Sequence, residues 1–114
     1  MWRELEAFAE AYVGVPFSRA HVDCFMFSAR WARRITGVDI RANGVARYRS
    51  QAEAFRRVRE AGFRSLDALV SHSLPVTDQP QLGDLVLMTE GAERIGSLGI
   101  FIDPETALTV SPAL

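Results

Sequence analysis

The chain has 114 residues, 48% of them hydrophobic, with thirteen basic and fourteen acidic side chains for a formal charge of −1 and a single cysteine. These totals describe one small globular domain, spanning 1–114, and exclude an internal disulfide and a bilayer-spanning apolar run. His21, Cys24 and His72 are the only soft metal ligands and have no zinc-site spacing, so neither a metal nor a cofactor is expected.

Trp2, Leu5, Phe8, Ala9 and Tyr12 recur at helical spacing, which predicts an amphipathic helix over residues 2–13 ended by Gly14 and Pro16. Glu4, Glu6 and Glu10 interrupt that segment where a signal peptide needs an unbroken apolar stretch, so a soluble chain made in the cytoplasm is expected. A second helix starts at Asp23 as N-cap, carries Cys24, Phe27, Trp31 and Ile35 as an apolar stripe, and closes at Gly37. Arg30, Arg33 and Arg34 fall in its last turns, where the helix dipole favours cations. After a Gly- and Arg-containing loop, Ser50-Gln51-Ala52-Glu53 forms a capping box for a third helix that ends at Gly62. Ser65 caps a short fourth helix through Leu66, Leu69 and Val70.

The texture changes at residue 72. Pro75 and Pro80 bracket a loop, Leu85–Thr89 is β-prone, and Leu98–Ile102 and Ala107–Val110 are the next strand candidates. Asp103-Pro104-Glu105-Thr106 reads as the turn between the last two. Helices followed by an antiparallel meander predict the α+β class.

Charge is uneven along the chain. All thirteen basic residues are arginine, and ten of them lie between Arg30 and Arg64 against three acids, Asp39, Glu53 and Glu60. Such a segment is either an electrostatic footprint for nucleic acid or a solvated face paired with acidic groups, and the second is the commoner case.

Cys24 opens the second helix. A thiol there meets unpaired backbone N–H groups and the positive dipole end, both of which favour the thiolate. Free cysteine is also among the most buried residue types, so position alone does not make it a nucleophile. Four segments around it occur in a telling order: Tyr12-Val13-Gly14-Val15-Pro16-Phe17, Asp23-Cys24, Leu82-Gly83-Asp84-Leu85-Val86-Leu87, and Leu98-Gly99-Ile100-Phe101-Ile102. Together they resemble the NlpC-type papain-like cysteine peptidases, bacterial cell-wall amidases that also occur in phage tails. The Arg-rich middle, Gly44-Val45-Ala46-Arg47-Tyr48-Arg49-Ser50 through Ala61-Gly62-Phe63, is similar to a branch of small NlpC-like proteins encoded among phage and prophage tail genes.

The resemblance implies a papain-like fold, N-terminal helices packed on a small antiparallel sheet, with Cys24 at the nucleophile position. The family's general base starts the second strand, where this chain has Ser97, and its third polar residue falls near Thr109. Phe17 replaces a tyrosine that contacts substrate, and the bulky Phe25-Met26 pair follows the cysteine where a small pair is usual. Phe17, Asp23 and Phe25 are thus the expected binding residues. A serine hydroxyl cannot hold a thiol's proton at neutral pH, so Cys24 is expected to be a vestigial nucleophile. His21, three residues before Cys24, is a candidate displaced base and His72 a second, although each reads first as a loop or surface histidine. Asp23 likewise reads first as the helix cap, and Asp84 as a turn residue at the strand start.

Family sheets carry further strands after the third, so the last strand here is expected to leave an exposed edge open to another chain. Trp2, Phe25, Met26 and Phe101 are candidates for an apolar contact patch, with core packing the default for each. Three functions follow, in decreasing order. The first is a degenerate NlpC-like domain that is a structural or assembly component of a phage or prophage tail tip or baseplate, made without a signal peptide in the bacterial cytoplasm, partnered by other tail proteins and carried in the virion tail. The second is an active amidase that cleaves peptidoglycan peptides during DNA entry, and the third an Arg-rich nucleic-acid-binding module.

Overall fold

A computed structural model describes residues 1–41, 45, 47–88 and 97–110 of the chain. Among these residues four helices, α1 (Trp2–Glu10), α2 (Cys24–Thr36), α3 (Gln51–Glu60) and α4 (Leu66–Ser73), precede three strands, β1 (Leu85–Met88), β2 (Ser97–Asp103) and β3 (Thr106–Leu108). The strands form one antiparallel sheet in the order β1-β2-β3, so the α+β class is as predicted. The predicted strand end at Thr89, the Gly-containing connection after it, and Gly44 and Ala46 of the Arg-rich loop lie outside the described residues.

The helix boundaries follow local chemistry. In α2, Asp23 accepts the Met26 N–H at 2.8 Å, and Gly37 closes the helix in the left-handed region at φ 80°. Ser50 and Ser65 cap α3 and α4 by accepting the N–H groups of Glu53 and Ala68, each at 3.1 Å. The reciprocal half of the predicted capping box is replaced by ion pairing: the Glu53 carboxylate lies 3.8 Å from Arg57 and 3.9 Å from Arg56. α1 stops at Glu10 rather than residue 13, because the N–H groups of Tyr12 and Val13 bond the carbonyls of Ala9 and Glu10 in tighter turns that run into Gly14 at φ 77°.

α2 is the centre of the molecule. The predicted stripe is too narrow: Phe25, Met26, Phe27, Ser28, Ala29, Trp31 and Ala32 are all buried, while Cys24 and Ile35 are only partly so. Phe25, Met26 and Ala29 join a cluster with Ile40, Val45, Tyr48, Val58, Leu69 and Leu98; Phe27 and Trp31 join a second with Leu5 and Ile100. Leu98 and Ile100 sit two apart on one face of β2, so a single strand serves both clusters. Phe25 and Met26 are therefore core, not contact patch, whereas Trp2 is 50% exposed and Phe101 partly buried. Among the described residues fifteen apolar side chains are buried, and each fully buried large one contributes roughly 1.5–3 kcal/mol.

Register in the sheet pairs Leu85 with Ile100 and Leu87 with Leu98 on one side of β2, and Ile100 with Leu108 on the other, with an irregularity between Phe101 and Asp103. Both β1 and β3 are edge strands among the described residues. Among those residues no helix is long and apolar enough to cross a membrane.

Candidate functional site

Two turns of the chain support the cysteine. The first is the loop before α2, where Ala20 takes a left-handed φ of 68° and Ser18 bridges Val22. That uncommon backbone directs the Ala20 N–H onto Asp23 Oδ2 at 2.7 Å. The same oxygen accepts the Tyr48 hydroxyl at 2.5 Å, and Oδ1 caps α2 through Met26. Asp23 is 2% exposed. A carboxylate so buried stays tolerable only because three donors replace its water, and all of them are structural.

The second turn precedes β1. Asp84 Oδ2 accepts the Gln81 N–H at 2.8 Å, as a strand-start turn residue should. Gly83, at φ 93°, turns its carbonyl to the Trp31 indole N–H at 2.7 Å. The Gly-Asp pair thus locks the sheet to α2, and its backbone also pairs with Phe101 of β2, at 2.9 and 2.7 Å.

Cys24 is partly buried at the first position of α2. Burial pushes its thiol up from the ordinary value, the backbone N–H groups of Leu98 and Phe25 and the Arg19 charge pull it down, and the Asp23 carboxylate pushes it up again. The upward causes win. The expectation that the helix start would favour the thiolate fails here because desolvation and a neighbouring carboxylate outweigh two backbone donors. Burial first, then the hydrogen bond to Asp23, also raises Tyr48 well above the phenol range, so it remains a neutral donor.

A cleft of about 80 Å³ opens beside the thiol. Its polar lining comes from Arg19, Asp23, Cys24, Tyr48, Gln51 and Ser97, and Phe25, Val45, Phe55 and Leu66 supply much of the rest. A larger hollow of about 410 Å³ lies between α4 and β1, but it holds neither the thiol nor a histidine, so the chemistry belongs to the smaller one.

Of the residues singled out in the sequence, Cys24, Asp23, Phe25 and Ser97 share this cleft. Phe17 lies outside the lining, its ring under the Arg19 guanidinium at 4.9 Å. Thr109 donates its hydroxyl to the Leu98 carbonyl at 2.9 Å, so it braces the β2 backbone next to the thiol. His21 is exposed and engaged through its backbone, its carbonyl accepting from Arg30. His72 is exposed on α4 against the Phe63 ring at 5.2 Å. Neither histidine lines the cleft. Tyr48 and Arg19 are the site residues that the sequence did not single out, because a tyrosine in an arginine-rich loop carries no periodicity and its partner lies 25 residues away.

Among the described residues no group of three or more histidine, cysteine, aspartate or glutamate side chains is placed to hold a metal ion. The arrangement can hold a neutral thiol beside a hydroxyl and admit a few waters or one small aliphatic group. No curated protein and no solved structure matches the chain. A family model does, over residues 1–113, and the chain belongs to that family, the domain of unknown function DUF6950.

Proposed function

We propose that the chain is a disarmed NlpC-like cysteine-peptidase domain of papain-like fold, serving as a structural or assembly component of a phage or prophage tail. The observation that carries this reading is the neighbourhood of Cys24. The thiol starts α2, where the resemblance puts a nucleophile, yet the residue sharing its cleft from the start of β2 is Ser97. A thiol raised by burial, with no imidazole in the cleft lining, stays protonated at neutral pH and attacks poorly. Removing the catalytic base costs on the order of 10⁶ in kcat in a serine-protease triad. The cleft of about 80 Å³ is also small against the ~300–1,000 Å³ of ordinary ligand sites. The tail placement draws on the likeness of the Arg-rich middle to tail-gene proteins, and two edge strands suit a chain that works by contact.

Alkylation of Cys24 by iodoacetamide, followed against pH, is expected to give an apparent midpoint above the free-thiol value of about 8.5. Ser97→His, which returns an imidazole to the cleft, is expected to lower that midpoint. Peptidoglycan fragments are expected to survive incubation with the native chain; cleavage that disappears in Cys24→Ala overturns the reading in favour of the amidase. Co-purification with neighbouring tail proteins is the expected sign of an assembly role, and a monomer indifferent to all of them counts against it.

A further inference from the structure

The ten arginines between Arg30 and Arg64 do not make one basic surface. On α3, Arg56 and Arg57 lie 3.1–3.9 Å from Glu53 and Glu60, so that helix largely neutralises itself. The end of α2 is different. Arg30, Arg33 and Arg34, with Arg41 from the segment that follows, line an open hollow of about 560 Å³ completed by Phe8 of α1. Among the described residues Asp39 is the one carboxylate within 4.0 Å of these guanidiniums. Four positive charges against one carboxylate, and about half a negative charge from the helix end, leave a net of roughly +2.5.

Two of the four are held in place. Arg30 donates to the Tyr12 hydroxyl at 3.3 Å and to the His21 carbonyl at 2.5 Å. Arg41 makes a two-pronged pair with Asp39, at 2.8 and 3.1 Å, and its side chain is 16% exposed. Arg33 and Arg34 are exposed and, among the described residues, have no such anchoring pair: Arg33 meets Asp39 only at 4.0 Å, with its side chain 63% exposed. Two anchored guanidiniums supply a preset positive field, and two unanchored ones can adapt their forks to an anion.

We propose that this hollow docks a short acidic segment of a partner polypeptide, its carboxylates met by Arg33 and Arg34 and an apolar side chain resting on Phe8. Guanidinium forks match carboxylates in two-pronged geometry. The surroundings favour a compact anion over a continuous one. Glu4 lies one turn before Phe8 on the same face of α1, with exposed Glu6 and Glu10 on the same helix. A nucleic-acid strand running past the hollow would meet these like charges, whereas a few carboxylates confined to it would not. The proposal does not depend on the state of Cys24.

Fluorescence anisotropy of a labelled oligoglutamate peptide carrying one leucine, titrated with the intact protein at low ionic strength, is expected to saturate and to weaken as salt rises. The Arg33→Ala/Arg34→Ala pair is expected to weaken binding by about tenfold or more. Arg56→Ala/Arg57→Ala removes equal charge from α3 and is expected to change it by less than about twofold. Glutamine pairs replace the alanine pairs if circular dichroism reports a loss of fold. No saturable binding at low salt, equal losses in the two double variants, or tighter binding of a single-stranded oligonucleotide of equal charge each overturns the proposal, the last in favour of nucleic acid.

Discussion

At the scale of single residues, Asp23 does three structural jobs with one carboxylate: it caps α2, holds the left-handed Ala20 turn and anchors Tyr48. Losing a cap alone costs about 1 kcal/mol, and each buried donor left unpaired about 1–3 kcal/mol. Asp23→Ala is therefore expected to cost about 3–7 kcal/mol, a large share of the ~5–15 kcal/mol that holds a typical domain together. Tyr48→Phe removes only one of the three donors and should cost about 1–2 kcal/mol. Urea denaturation at neutral pH measures both, and the double variant should fall short of the sum because the two share a bond. Ser28 runs the other way. Its fully buried hydroxyl has no hydrogen-bond partner among the described residues, so Ser28→Ala is expected to stabilise the protein by up to about 1–2 kcal/mol. A midpoint that falls on that change means a partner exists for the hydroxyl.

At the scale of elements, the junction between α2 and the sheet is set by Gly83 and Trp31. Gly37 and Gly83 both hold positive φ, so alanine at either costs about 1 kcal/mol from backbone strain. At Gly37 a Cβ meets nothing within 4 Å, but at Gly83 it would lie 3.2 Å from Met1 Sδ and 3.5 Å from Trp31 Cζ2. Met1 is 56% exposed and gives way easily, so the excess cost at Gly83 is small and the larger consequence is for the indole bond at its carbonyl. Gly83→Ala is expected to change Trp31 emission where Gly37→Ala does not, with comparable losses of stability in both. The helix caps, by contrast, were legible in the sequence because they are local: as caps, Asp23, Ser50, Ser65 and Gly37 act within four residues of themselves. The tertiary features were not. The Asp23–Tyr48 bond joins residues whose pairing no local pattern encodes, and the burial that raises the thiol is likewise set by packing. The breadth of α2's buried face also escaped a stripe count, since a helix covered on both sides by separate clusters loses its amphipathic period.

At the scale of the whole molecule, the absence of lysine makes the alkaline limb of stability readable. Between the thiol range and the guanidinium range, Cys24 and Tyr48 are groups that titrate. Cys24 and Tyr48 are both raised in the folded chain, chiefly by burial, so across the range above their unfolded values the native state binds more protons than the unfolded one. Stability then falls as pH rises, because deprotonation favours the unfolded chain. The contribution of Cys24 is complete below about pH 8.5 and begins to be lost above it; that of Tyr48 is complete below about pH 10 and begins to be lost there. Asp39, lowered mainly by its hydrogen bond from Arg41, acts at the other end and is lost only as pH drops through its depressed folded value. Thermal midpoints recorded from pH 7 to pH 11 should therefore stay level and then decline in two stages. Cys24→Ala should erase the first stage and Tyr48→Phe the second, each leaving the other in place. An unchanged first stage in Cys24→Ala would mean that the thiol is not held neutral by its burial, and with it would go the physical basis for a disarmed site.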